Sequence, residues 1–188
     1  MSKQRGQIVT DKILDTAERL FYGQGYNATG INQVIEEADV AKASLYKHFA
    51  SKADLMLGYM QRYHQQWLCR FETFLNQFTD PKEKLLAVFD YHAERQEYRE
   101  FGGCPFIKAN NEAGAGDSRV LAEIQQAKQQ FKDLIKELVV KSRHKHVLGD
   151  TELAELIYLL VEGGITAGSV FKQTTDLQTA KKITQQFI

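Results

Sequence analysis

Proline occurs at only two positions, Pro81 and Pro105, so breakers almost never interrupt the 188-residue chain. A proline inside a helix removes a hydrogen bond and clashes with the preceding turn, so its scarcity leaves long stretches free to coil. Those stretches are dominated by Leu, Ala, Gln, Glu and Lys, and strict apolar alternation is hard to find in them. Apolar residues recur at helical spacing instead. Ile13, Leu14, Ala17, Leu20 and Phe21 form one stripe, and Leu55, Tyr59, Tyr63, Trp67, Phe71, Phe74 and Phe78 form a longer one. The fold class expected is all-α, with about nine helices.

Local signals divide the chain further. A first helix is expected over 10–22, capped by Thr10 and ended by Gly23 and Gly25. Thr29 then caps a second over 30–38, and a sharp turn at Ala38-Asp39-Val40 leads into a third over 41–48. Ser51 caps a fourth, long helix, and Asp80-Pro81 opens a fifth. After the break at Phe101-Gly102-Gly103-Cys104-Pro105, a short helix runs to 112 and a seventh covers 118–141. An eighth runs from 150 or 151 to 171, and a last one starts at Leu177 and is still helical at Ile188. The organisation expected is a three-helix unit over 1–50 and a larger helical domain over 51–188.

Composition removes several functions from consideration. Lys plus Arg and Asp plus Glu number 24 each, so a nucleic-acid reading must rest on local clustering. The two cysteines, Cys69 and Cys104, form neither a metal spacing nor a disulfide framework, and a reducing cytoplasm is the expected compartment. The N-terminus lacks an apolar run after its basic residues, and the apolar stretch 153–171 carries Glu155 and Glu162, which reads as a buried helix and not a membrane span. No nucleophile–base pair, metal triad or phosphate loop stands out, so no enzyme, metal or cofactor is expected.

The local clustering lies in Val40 to Leu55, "VAKASLYKHFASKADL". Two short helices joined by a tight turn, the second small-faced and basic, make a helix-turn-helix. Ala43 offers a methyl to a thymine methyl, while Lys42 and Ser44 reach base edges or phosphates. Tyr46, Lys47 and His48 suit backbone phosphates, and Thr29 and Lys52 sit at helix starts, where free N–H groups favour phosphate. The bland alternative for this face is ordinary solvation.

The stretch "ATGINQVIEEADVAKASLYKHFASKADL", with "ILDTAERLFYGQGYNATGI" before it, resembles the DNA-binding signature of the TetR family of bacterial repressors. The likeness rests on Val40, Leu45-Tyr46-Lys47-His48-Phe49, Lys52 and Leu55, and departs at Asp39, where the family often has Gly; the resemblance implies a left-handed backbone there, which Asp tolerates better than most residues. It implies an all-helical homodimer with an N-terminal DNA-binding domain and a C-terminal ligand-binding and dimerisation domain. It also implies binding to a pseudo-palindromic double-stranded operator, with release by a small-molecule effector.

Candidate effector contacts are Tyr63, Trp67, Phe71, Phe89, His92, Cys104 and Phe106; residues of these kinds are more often plain core. Cys104 before Pro105 reads either as a packing cysteine or as a reactive thiol, which would make the chain a redox or electrophile sensor. A DNA-binding protein without effector control is a further alternative. His144 and His146 have a metal-like spacing but sit in a polar connector that reads as a solvated loop. Leu153, Leu156, Ile157, Leu160, Gly164, Ile165, Gly168 and Phe171 give helix eight a small-residue seam. By resemblance, that helix and the last one build the dimer interface; the alternative is an internal core helix.

Overall fold

The structure, a computed structural model, describes residues 2–143 and 147–188, with residues 2–5 described in backbone only. His144 and His146 lie outside the described residues. Among the described residues there are nine α-helices and no strand, joined at one point by a π-helical turn. The helices are α1 (Ser2–Gly23), α2 (Ile31–Glu37), α3 (Lys42–His48), α4 (Lys52–Leu75) and α5 (Pro81–Tyr98). They continue with α6 (Pro105–Ala109), the π turn (Asn110–Gly114), α7 (Ser118–Ser142), α8 (Asp150–Phe171) and α9 (Thr175–Thr184).

The chain forms two compact units that are not consecutive in sequence. The first is Met1–Gln65 with Pro105–Gln125, and the second is Gln66–Cys104 with Gln126–Ile188. Helices α4 and α7 each contribute residues to both.

In the first unit, α1 buries the expected stripe: Ile13 and Ala17 are fully covered, and Leu14, Leu20 and Phe21 nearly so. The helix begins well before Thr10, whose hydroxyl donates to the Gly6 carbonyl one turn back and is therefore no cap. Helices α1, α2 and α3 pack against one another around Val34, Ala38, Leu45 and Phe49. Gly58 on α4 makes this possible, because a Cβ there would come within 2.7 Å of the Phe49 ring. Ser51 caps α4 as expected: the Asp54 amide donates to its hydroxyl, which donates to the Asp54 carboxylate.

In the second unit, α5, α8 and α9 pack against one another. Asp80 caps α5 by accepting from the Lys82 amide at 2.9 Å, and Pro81 fills the first turn. By length and composition alone α8 could cross a membrane, but Leu153, Ile157 and Val161 are fully buried in the protein's own core. Two of its glycines are used inside the chain: a Cβ on Gly164 would come within 2.6 Å of Leu177 on α9, and one on Gly168 within 2.9 Å of the Gln173 carbonyl oxygen. The seam is thus closed by α9, and the apolar side chains left exposed are Leu159, Val170 and Phe171, with Ile183 on α9. The last helix starts two residues before Leu177 and stops at Thr184.

Candidate functional site

Helix α3 has seven residues and, at about 1.5 Å per residue, is roughly 10 Å long, a length that fits a DNA major groove. Its inward anchor is Leu45, which is fully buried, with Phe49 closing the core behind it. Lys42, Ala43, Tyr46, Lys47 and His48 are exposed, and Ser44 is half-buried. The polar side therefore faces away from the protein. The turn feeding α3 has the backbone expected: Asp39 has φ 51°, and the Val40 amide donates to the Ile35 carbonyl, which closes the end of α2.

Two residues of the set are less free. The His48 ring shares a hydrogen bond of 3.1 Å with the Thr10 hydroxyl, which ties α3 to α1. The Lys52 ammonium sits 4.2 Å over the Tyr26 ring, and partial burial lowers its pKa against the opposing pull of Glu112.

Thr29 is a correction. Its side chain is 1% exposed, donates to the Gly25 carbonyl at 2.6 Å and accepts from Gln24 at 3.2 Å, so its hydroxyl is not offered to DNA. It does not cap α2 either; Gly30 holds that position. A hydroxyl before a helix has the same appearance in sequence whether it caps outward or ties its own loop inward.

Residues distant in sequence hold this head together. The Glu112 carboxylate, in the π turn, accepts from the Asn27 amide at 2.9 Å. Lys108 donates to the Tyr22 carbonyl at the end of α1 and lies 4.5 Å over the Tyr22 ring. Arg119 bridges Asp54 and Asp117, and holds the Asp117 carboxyl down at about 2. No local sequence signal marks Lys108, Glu112 or Arg119 as part of the head.

Of the candidate effector contacts, Tyr63 and Phe106 pair edge-on at 5.1 Å in the first unit. The others lie in the second. Trp67 stacks on Phe71 at 5.4 Å, Phe71 meets Phe131 at 5.7 Å, and Phe131 meets His92 at 5.2 Å. Phe89 is buried one turn before His92 on the same face of α5. Burial, reinforced by Lys128 and Arg95, pushes the His92 imidazole down to about 3, so it is neutral near pH 7. Cys104 Sγ lies 3.5 Å from the Lys128 ammonium, which also meets Glu162 at 2.5 Å. Burial pulls the Lys128 ammonium down, but Cys104 and Glu162 beside it make the net shift upward. Gln96 was not singled out in the sequence, although it follows His92 by four residues and lies on the same face. Among the described residues no cluster of His, Cys, Asp and Glu could hold a metal.

The comparisons agree with this architecture. Residues 13–59 match the profile of the bacterial regulatory proteins of the tetR family, and residues 81–184 match that of the tetracyclin repressor-like C-terminal domain. The chain belongs to the TetR family of transcriptional regulators, with its helix-turn-helix in the first profile and over half its length in the second. A TetR-family regulator from Streptomyces coelicolor superposes with a TM-score of 0.85 at 25% identity, over 95% of this chain and 87% of that one. The transcriptional activator FasR of Mycolicibacterium smegmatis is 32% identical over 102 residues, 52% of this chain and 44% of its own. The repressor KstR2 of the same species is 29% identical over 89 residues, 47% of this chain and 43% of its own. The chain thus spans less than half the length of these two relatives.

Proposed function

We propose that this chain is a cytoplasmic, homodimeric transcriptional repressor that binds a pseudo-palindromic operator and releases it when a small molecule binds the second unit. The observation that carries the reading is α3, whose outer face holds Lys42, Ala43, Tyr46, Lys47 and His48 while Leu45 roots it in the core. Lys42 and Ala43 read base edges, and Tyr46, Lys47 and His48 grip phosphates. Dimerisation runs through the last two helices, using the exposed Leu159, Val170, Phe171 and Ile183. Two-fold symmetry then sets a pair of α3 helices about 34 Å apart, one turn of DNA. A dimer seated on a promoter blocks transcription by occupancy, hence repression. Release requires an effector that binds the DNA-incompetent state better, by on the order of 5 kcal/mol for a near-complete switch.

The test is titration of the purified protein with DNA from its own upstream region, at several salt concentrations, with and without candidate effectors. Specific, salt-sensitive binding that an effector abolishes is the expected result. Indifference to every duplex at low ionic strength would sink the reading.

A second reading, a thiol sensor, is favoured by the Lys128 ammonium 3.5 Å from Cys104 Sγ. The helix that follows Cys104 has only five residues, so the nearby lysine and not a helix dipole is the supporting feature. Iodoacetamide labelling decides it, with the exposed Cys69 as internal reference. Cys104 must react faster than Cys69, and its modification must change operator affinity; otherwise the thiol is packing.

A further inference from the structure

We propose that the interior of the second unit is a binding site for a neutral single-ring phenolic molecule, whose hydroxyl meets His92 and Gln96 and whose ring packs among Phe71, Tyr91 and Phe131. This deepens the effector reading by naming the chemistry of the ligand, and it rests on that reading only for its biological meaning.

Three neighbouring buried polar atoms on α5 have no hydrogen-bond partner, the Tyr91 hydroxyl, Nε2 of His92 and Oε1 of Gln96, and the last two lie on one face. His92 and Gln96 are 8% and 4% exposed. Folding an unmatched polar atom into an apolar interior is unfavourable, and native proteins almost always supply a partner. Two such atoms at positions i and i+4 of α5 share one face of the helix. One ligand group can therefore serve both.

The surroundings select the ligand. Phe71 and Phe131 both approach the His92 ring, with centroids at 6.2 and 5.2 Å, and Tyr91 lies edge-on to it at 5.2 Å. Rings in these tilted arrangements favour another aromatic ring. A hydroxyl both donates and accepts, so it satisfies either imidazole tautomer and either orientation of the Gln96 amide. A cation is opposed by Lys128 and Arg95, the positive groups that act on His92. A carboxylate finds no free charge in Lys128, which already pairs with Glu162.

The full-length protein is titrated calorimetrically with phenol, toluene, benzoate and benzylammonium, without DNA. Phenol should bind saturably, toluene about tenfold or more weakly, and the two ions more weakly still. Gln96→Leu and His92→Phe should each bring phenol to the level of toluene without changing toluene binding. Equal affinity for phenol and toluene, binding by none of the four, or an intact phenol preference in Gln96→Leu would each overturn the proposal. The probe series on the unaltered protein stands even where a variant fails to fold. Phenol binding that leaves the operator complex intact would refute the effector reading and keep this site; effector release that survives Gln96→Leu in a protein blind to phenol would do the reverse.

Discussion

The two units treat their buried histidines, His64 and His92, in opposite ways. In the first, His64 pairs with Glu123 at 2.8 Å, and the fully covered Thr29 is bonded to Gly25 and Gln24. The polar side chains of its α3 face outward. In the second, Nε2 of His92 and Oε1 of Gln96 are buried without a hydrogen-bond partner, and aromatic rings pack against His92. The proposed function accounts for the difference by what each unit would meet. Duplex DNA is large, rigid and charged, so it is met by side chains held outward on a well-anchored helix. A small molecule must be surrounded, so its partners wait inside at a cost in stability.

The largest expected effect separates anchor from contact in the first unit. Leu45→Ala removes the root of α3 and should cost about 2–5 kcal/mol of stability, whereas Lys47→Ala should stay within about 0.5 kcal/mol while weakening all DNA alike and flattening the salt dependence. Thermal denaturation paired with salt-series binding checks both. If Lys47→Ala unfolds the head, its outward role is wrong.

Acid should expose the unmatched interior of the second unit. Above His92's ordinary 6.5 the ring is neutral folded and unfolded; below it, the unfolded chain takes up a proton that the folded ring refuses down to about 3. Stability therefore falls through this window as pH drops, by about 2–3 kcal/mol at pH 4.5. His92→Phe should remove that part of the slope, measured by denaturant melts from pH 7 to pH 4.5. An unchanged slope means the ring is not held neutral.

Lys42→Ala should cost about 1–3 kcal/mol of operator binding and relax sequence preference, read by competition between operator and random DNA. Equal loss on both would move Lys42 from base reading to phosphate contact. The smallest effect is at Asp39, where glycine relieves the left-handed strain; Asp39→Gly should raise stability by no more than about 1 kcal/mol and leave DNA affinity unchanged.

Much of the first unit was legible because its signals are local. Apolar spacing marked the α1 stripe, Ser51 marked its own cap, and the turn before Val40 required the backbone that Asp39 adopts. Thr29 misled because its neighbourhood in sequence could not say which way the hydroxyl points. Helix ends also drifted: α1 extends back to Ser2, since nothing before Thr10 stops a helix, and α9 ends at Thr184. In the second unit the helices were legible but not which side chains meet. The glycines of α8 signalled close approach, yet α9 of the same chain takes the place at Gly164.

The sequence alone determined the helical class, the helix-turn-helix and the outward basic face of α3, because spacing, caps and turns act within a few residues of each other. Only the tertiary structure decided that Glu112 and Lys108 brace the head, that Cys104 lies beside Lys128, and that Nε2 of His92 and Oε1 of Gln96 are buried unpaired. Those relations join residues up to 86 positions apart or depend on which neighbours fail to arrive. Burial and pairing are properties of the packed whole, and no window of sequence contains them.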